Sequence, residues 1–171
     1  MKILIRQARK GDAKGIVEFR NDSLRKGFGN YTGTNRLLGA KDIKRYDEGY
    51  TKKKKSDIIL VAVDKGKNRI IGVSGFQAKE KGRTRHRGEI GWMVHQEYMG
   101  KGIGTMLVKA LLKEAKKRGF KRVEAEVAVV NTASLRLAKK CGLKIEGRRK
   151  SGLLLDNGKY VDTYLFGKIL R

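Results

Sequence analysis

The glycine-rich segment between residues 99 and 105 is the part of this chain best suited to binding a phosphorylated ligand. It reads Met99-Gly100-Lys101-Gly102-Ile103-Gly104-Thr105, and it joins an apolar, strand-like run at 89–94 to an amphipathic helix pattern. Glycines let the backbone turn tightly and approach a ligand closely. The free N–H groups and the positive dipole end of the following helix point at the same place. We therefore expect a phosphate or pyrophosphate to bind here.

Residue spacing excludes two common phosphate-binding motifs. A P-loop requires Gly-x-x-x-x-Gly-Lys-Ser/Thr, and the chain contains no Gly-Lys-Ser/Thr triplet. A dinucleotide fingerprint requires a third glycine in Gly-x-Gly-x-x-Gly, whereas Leu107 occupies that position after Gly102 and Gly104. What remains is a short Gly-x-Gly-x-Gly turn at a strand–helix junction.

At this junction the chain resembles the GCN5-related N-acetyltransferase (GNAT) family. The family signature is Arg/Gln-x-x-Gly-x-Gly/Ala, to which the segment Met99–Gly104 corresponds, with methionine replacing the leading Arg/Gln. A second match is Asn131, together with Lys140-Cys141-Gly142-Leu143 in place of the family's Lys-x-Gly-Phe. The resemblance implies that main-chain amides of the loop bind the pyrophosphate of coenzyme A. It also implies that Asn131 binds the pantetheine arm, with acetyl-CoA as cosubstrate and no metal.

The resemblance leaves the proton donor open. Many family members carry a catalytic tyrosine seven residues after the asparagine, where this chain has Ala138. Ser134 is the nearest hydroxyl; it either relays a proton to the departing thiolate or serves only as a helix cap or packing residue. By resemblance, a main-chain N–H near Met93 or Val94, where this family strand typically bulges, stabilises the oxyanion.

Three carboxylates on the fourth and fifth predicted strands are candidates for the base that deprotonates the amine. The two-residue strand period places Glu124 and Glu126 on one face of the fifth strand. We expect Glu124 to form a salt bridge, and Glu126 and Glu89 to be the candidate bases. His95 is a weaker candidate, because it follows the end of the fourth strand and is expected to face solvent.

The amine acceptor is predicted from two late motifs and from acid–base arithmetic. Residues 146–149 and 158–162 (Glu-Gly-Arg-Arg and Gly-Lys-Tyr-Val-Asp) resemble the branch that acetylates ribosomal-protein N-termini. A peptide α-amine, with a pKa of roughly 7.7–8.0, needs a weaker base than a lysine-like amine near 10.4. We therefore predict acetyl transfer to a protein N-terminal α-amine, with Phe28, Tyr31 and Tyr160 lining the acceptor pocket.

Two alternatives to that function stay open at this point. In the first alternative, the acceptor is a small-molecule amine such as a polyamine, an antibiotic or an amino-acid analogue. In the second alternative, the chain is a non-catalytic module that binds coenzyme A or RNA. The departures from the family pattern at Met99 and Ala138 favour this second alternative.

The net charge and the cysteine content bear on partners and location. The chain has 42 Lys+Arg against 17 Asp+Glu, a formal charge of +25. Such a field attracts polyanions such as the ribosome or nucleic acid, although a merely solvated basic surface explains it equally well. A single cysteine, Cys141, indicates a reducing compartment and hence the cytoplasm. No apolar run is long enough to span a membrane. A monomer and a homodimer are both compatible with the sequence.

The length of 171 residues predicts one domain, residues 1–171, and the periodicity predicts the α/β (α+β) class. The resemblance implies that this is an N-acetyltransferase domain. The resemblance to the family covers the whole element order and implies a mixed, mostly antiparallel sheet of six to seven strands with helices on both faces. The predicted strands are 3–7, 58–63, 70–77, 89–94, 123–130, 143–155 and 159–170. The predicted helices begin at Asp12, at residue 40, at residue 103 and at Asn131, with Asp12 and Asn131 as N-caps.

Overall fold

The computed structural model describes residues 2–27, 36–51, 57–79 and 82–171. Phe28 and Tyr31, two of the predicted acceptor-pocket residues, lie outside the described residues. The strands are β1 Ile3–Gln7, β2 Ile58–Asp64, β3 Arg69–Ala78, β4 Arg87–Val94, β5 Arg122–Ala128, β6 Lys144–Leu154 and β7 Tyr160–Ile169. The helices are α1 Asp12–Arg25, α2 Ala40–Thr51, α3 Ile103–Lys117 and α4 Thr132–Lys140.

The seven strands form one sheet in the order β1-β2-β3-β4-β5-β7-β6. Every neighbouring pair is antiparallel except β4 and β5, which run parallel. That parallel pair is short: only Arg87–Glu89 aligns with Arg122–Glu124. Beyond these residues the two strands diverge, so the sheet opens into a cleft at its centre.

Helices cover both faces of the sheet because its strands alternate apolar residues between the two faces. Phe19 of α1 belongs to one buried cluster with Val61 of β2. Leu107 of α3 belongs to the opposite cluster with Leu60, the neighbouring residue on β2. Gly72 allows α3 to approach the sheet closely, because a Cβ there would lie 2.9 Å from Leu107 Cδ1. The predicted fold class is confirmed.

Two helix starts test the predicted caps. Asn131 caps α4 as expected, since its Oδ1 accepts a hydrogen bond from the Ser134 N–H at 3.1 Å. The start of α1 differs from the prediction: Gly11, with φ of 92°, is the capping residue. Asp12 lies in the first turn and accepts hydrogen bonds from the Arg9 N–H and from both guanidinium nitrogens of Arg6.

Candidate active site

The divergence of β4 and β5 creates a cleft of about 1210 Å³. Its walls are the second halves of the two strands, the glycine loop after β4, and the first turns of α4. Among the predicted site residues, those that line it are Met93, Val94, Met99, Gly100, Gly102, Ile103, Gly104, Thr105, Glu126, Asn131 and Ser134. The fold therefore brings the loop, the asparagine and one candidate base to a single cavity.

The glycine loop needs its glycines for two different reasons. Gly100 and Gly102 have φ values of 75° and 77°, a left-handed conformation that side chains with a Cβ rarely adopt. Gly104 has an ordinary φ, but a Cβ there would lie 2.5 Å from Leu137 Cδ1. The first two glycines thus shape the backbone ahead of α3, and the third lets α3 approach α4.

The N-terminus of α3 opens onto the cleft directly after this loop. Gly102 is the residue before the first helical turn, so the turn leaves amide N–H groups available to a ligand. Lys101 does not line the cleft wall: its Nζ donates to the Glu97 carbonyl at 3.0 Å and lies 5.1 Å from the centre of the Tyr98 ring. The loop therefore offers main-chain donors rather than its lysine, and this arrangement suits a pyrophosphate.

Two basic residues of α4 face the same cleft as the glycine loop, and sequence analysis missed both. Arg136 and Lys140 line the cavity, and their spacing of four residues places them on one face of the helix. That spacing, following the Asn131 cap, was the signal available in the sequence. Left-handed glycines, a helix N-terminus and two cations together fit the phosphates of coenzyme A.

The backbone N–H of Val94, rather than that of Met93, points toward the cleft. The Lys79 N–H donates to the Arg87 carbonyl, and the β3–β4 register continues without interruption to the end of β4. Backbone N–H and C=O groups point to alternate sides of a strand from one residue to the next. Since those of Arg87 point to β3, the N–H of Met93 also points to β3 and that of Val94 points away from it. The bulge expected at this place is not there, and that expectation is wrong.

Ser134 is held between two elements by hydrogen bonds. Its N–H donates to Asn131, and its Oγ accepts a hydrogen bond from Trp92 Nε1 at 3.3 Å. Trp92 was not singled out in the sequence, where a lone tryptophan in a strand indicates only core packing. Ala138, which occupies the family's tyrosine position, is fully buried.

A second cavity of about 660 Å³ lies on the face of the sheet that carries Glu89, Glu124 and Glu126. Ile90 and Glu126 line both this cavity and the central cleft. The second cavity is strongly charged, and its ionisable lining residues are Lys79, Arg87, Glu89, Arg122, Glu124, Glu126, Glu146 and Arg149. Glu126 is therefore the carboxylate at the junction of the two cavities.

Glu124 is held in ion pairs, as expected. It accepts hydrogen bonds from Arg87 at 2.6 Å and from Arg122 at 2.8 Å. Burial alone would raise the pKa of Glu124, but these two guanidinium groups outweigh it, and the pKa lies below its ordinary value. Arg122 also binds Glu146, and hydrogen bonds to Glu146 and then to Glu124 raise the pKa of Arg122.

The two candidate bases occupy different positions. Glu126 accepts hydrogen bonds from the Thr163 hydroxyl and from Arg149, and 36% of its side chain is exposed. Glu89 lines the second cavity but not the central cleft. It accepts a hydrogen bond from Lys79 at 2.9 Å. Its side chain is 57% exposed. The geometry thus sets Glu126, but not Glu89, against the central cleft.

Two other predicted positions lie away from the cleft. Tyr160 is 67% exposed at the start of β7 and lines neither of the two cavities described above. His95 is fully buried, so its predicted exposure to solvent is wrong. Its Nε2 lies 2.9 Å from Asp22 Oδ2 and 3.0 Å from Arg69 Nη2, so it joins α1 to the end of β4.

Comparison with known proteins identifies the family. The acetyltransferase (GNAT) domain model matches residues 2–144, and the chain belongs to the GNAT family. A GNAT-family acetyltransferase from Streptococcus pneumoniae superposes with a TM-score of 0.86 at 27% identity, covering 98% of this chain and 99% of that one. The structure of yncA from Salmonella typhimurium, solved with its cofactor acetyl-CoA, superposes with a TM-score of 0.85 at 21% identity, covering 100% and 95%.

A curated relative matches over a shorter stretch. The L-amino acid N-acetyltransferase AaaT of Escherichia coli is 26% identical over 101 residues, which are 58% of this chain and 62% of that protein. As the resemblance at the glycine loop and Asn131 implied, the chain carries the acetyltransferase domain of the GNAT family. In the parts of the chain that the structure describes, no helix is long and apolar enough to cross a membrane.

Proposed function

We propose that the acceptor is a primary α-amine and that Glu126 takes its proton. The observation that carries this proposal is the position of Glu126 between the central cleft and the second cavity. An acceptor that enters from the charged cavity meets this carboxylate at the point where the cleft begins. A base must lie within hydrogen-bond reach of the proton that it removes, and this position meets that requirement for an amine at the junction.

The residues around the junction account for each proton and charge in the transfer. Acetyl-CoA supplies an activated acetyl thioester. Glu126 first takes a proton from the ammonium and releases it to solvent, which leaves a neutral amine. The amine nitrogen then forms a bond to the acetyl carbon, the carbon–sulfur bond breaks, and Glu126 accepts the second proton that the nitrogen loses. Ser134 donates its hydroxyl proton to the departing sulfur and regains a proton from solvent, while the Val94 N–H donates to the acetyl oxygen as negative charge develops there.

The Trp92 hydrogen bond supports the role of Ser134. Because Ser134 Oγ accepts a hydrogen bond from the indole, the hydroxyl proton is left to be donated elsewhere. The adjoining cleft is where the thioester sulfur must lie if the loop holds the pyrophosphate. Ser134 thus replaces the tyrosine that this chain lacks at Ala138.

The energetic cost of deprotonation favours an α-amine over a lysine-like amine. At pH 7 removing the proton from an amine of pKa near 10.4 costs about 4–5 kcal/mol, against about 1–1.4 kcal/mol at a pKa near 7.7–8.0. The large positive charge of the chain, +25, also repels polyamine cations. A single exposed carboxylate such as Glu126 is a sufficient base for the α-amine, whose deprotonation costs less free energy.

Two α-amine acceptors fit this proposal. A protein N-terminus is favoured by the two late motifs, the first of which contributes Arg149 beside Glu126. A basic chain also suits an acceptor presented on a ribosome. A free amino acid is favoured by the mixed charges of the second cavity and by the name of the E. coli relative.

Acetylation of an amine panel tests the proposal. Purified protein is incubated with acetyl-CoA and peptides, free amino acids, lysine side-chain analogues or polyamines, and products are measured by mass spectrometry alongside thiol release. We expect α-amines to be acetylated and Glu126→Gln to lower kcat by about 10²-fold or more. Glu89→Gln, the same change outside the central cleft, should have a much smaller effect. An unchanged rate in Glu126→Gln, or acetylation of polyamines alone, overturns the proposal.

A further inference from the structure

We infer that Arg149 is a specificity-determining residue that binds the free carboxylate of an α-amino-acid acceptor. The inference rests on the proposed function, because it takes Glu126 as the group that receives the acceptor amine. It adds a second contact, made to the other charged group of a zwitterion. The argument depends on how the charges of the second cavity are paired.

Four of the charges that line the second cavity neutralise one another. Glu124 is bound by Arg87 and Arg122, and Arg122 is bound in addition to Glu146. Two arginines and two glutamates therefore form a closed network among the residues that line the cavity. A charged ligand gains little by breaking these ion pairs, because each side chain that it displaces is left as a charge without a partner.

The ion pair between Arg149 and Glu126 lies outside this network and is open to the solvent. The Arg149 side chain is 55% exposed and the Glu126 side chain 36%. Among the described residues, Glu126 is the only carboxylate within ion-pair distance of Arg149. An exposed pair of this kind contributes little to stability, so a ligand that replaces both contacts can separate it at low cost.

The sheet register explains why these side chains meet at the junction. Arg149 lies opposite Thr163 in the β6–β7 pair, and Thr163 lies opposite Ala128 in the β5–β7 pair. Residues directly opposite share a face, so Arg149, Thr163 and Glu126 are on the face that carries the second cavity. Glu126 then receives one hydrogen bond from Thr163 and a second from Arg149.

An α-amino acid carries an ammonium and a carboxylate on the same carbon. These two groups can take the places of Arg149 and Glu126 in the ion pair. Its ammonium replaces Arg149 at Glu126, and its carboxylate replaces Glu126 at Arg149. The guanidinium can bind that carboxylate through two parallel hydrogen bonds. A simple amine leaves Arg149 without a partner beside a second positive charge, and a peptide N-terminus offers only a neutral carbonyl. The pair thus selects a zwitterion.

The test compares each of the standard amino acids with its C-terminal amide as acceptor. A neighbouring carboxylate stabilises the protonated amine, so ionisation alone favours the amide. We expect kcat/KM to favour the free acid for the best acceptors by about 10- to 100-fold, the size expected for a charge-assisted hydrogen bond. Arg149→Gln should erase this preference, because KM for the acid should rise more than KM for the amide.

Arg148→Gln is the matched control. Arg148 is the preceding residue of β6, lies opposite Tyr164 on the other face of the sheet, and pairs with Asp162. It lines neither of the two cavities, so this variant should keep the preference for the free acid. Arg149→Lys should restore the preference only in part, because an ammonium cannot bind a carboxylate through a planar fork.

The other outcomes separate the two proposals. Equal use of acids and amides by the unchanged protein, or an equal loss for both in Arg149→Gln, overturns the role of Arg149. The proposed function survives that result if Glu126→Gln still slows α-amine acetylation. If neither acids, amides nor peptides are acetylated, both proposals are overturned.

Discussion

Trp92 Nε1 donates a hydrogen bond to Ser134 Oγ at 3.3 Å and thereby joins β4 to α4 across the central cleft. The two residues come from the opposite walls that the divergence of β4 and β5 separates. The indole fixes one lone pair of the hydroxyl, and the backbone of Ser134 is fixed by the Asn131 cap. The serine is thus oriented by two independent contacts.

Replacement of Trp92 by phenylalanine should lower kcat with little change in the KM for acetyl-CoA. Phe keeps most of the apolar ring but cannot donate the hydrogen bond, whose net value is about 0.5–1.5 kcal/mol, or roughly two- to tenfold in rate. The measurement is steady-state kinetics of Trp92→Phe, Ser134→Ala and the double variant.

The double variant decides whether the tryptophan acts through the serine. If it does, Trp92→Phe has no further effect once Ser134 is alanine. Additive losses in the double variant would show that the two residues contribute separately.

Gly102→Ala should weaken acetyl-CoA binding. Gly102 has φ of 77° with open space around the position of a Cβ, so alanine is disfavoured by backbone strain of about 1–2 kcal/mol rather than by a clash. The backbone relieves this strain by moving the amides of the loop. Isothermal titration should report a higher Kd for acetyl-CoA.

Gly158→Ala controls for strain alone. Gly158 has φ of 78° and equally open space, but it lies in the turn between β6 and β7. Both variants should lower Tm by a similar amount, while only Gly102→Ala should change the Kd. An unchanged Kd in Gly102→Ala contradicts the role of the loop.

Lys140→Gln should lower the affinity for acetyl-CoA, most strongly at low ionic strength. Lys140 and Arg136 line the cleft, and contacts between cations and phosphates are screened by salt. Lys139→Gln removes the same charge from the next residue, which does not line the cleft. Titrations at two salt concentrations should show a larger loss for Lys140→Gln, and equal losses in both variants would indicate only a long-range field.

Stability should depend on pH through Glu124. Its folded-state pKa is lowered by Arg122 and Arg87 against the opposing effect of burial. The ion pairs therefore stabilise the fold above the ordinary glutamate pKa near 4.3, and this stabilisation is lost as the pH falls through the lower folded-state value.

Urea unfolding of Glu124→Gln measures that contribution. At pH 7 the variant should be less stable by on the order of 1–2 kcal/mol, and the difference should shrink at pH values well below 4. A difference that does not change with pH would show that Glu124 stabilises the fold by packing rather than by charge.

Local patterns were sufficient for most of the fold. The strict alternation of Glu124 and Glu126 with apolar neighbours predicted a strand with one polar face, and β5 has that face. Asn131 ahead of a helical pattern predicted a capped helix, and α4 begins there. These features depend on residues near one another in sequence, which is why composition and spacing reveal them.

His95 shows where local reasoning fails. Its position after the end of β4 indicated exposure, but α1 covers it and supplies Asp22, far away in the chain. No pattern around residue 95 contains that information. Burial of a residue at a strand end depends on which distant helix packs over it.

The sequence by itself was sufficient to identify the family, because the glycine loop and Asn131 are short motifs that resemble the family signature. The backbone geometry of such motifs follows from their own residues. The assignment of the carboxylates depended on tertiary structure alone. The pairing of β5, β6 and β7 decided which of the 42 basic residues meets each glutamate. The divergence of β4 from β5 decided that Glu126 faces the cleft, whereas Glu89 does not. Strand register and divergence arise from packing between distant segments, and no local periodicity encodes them.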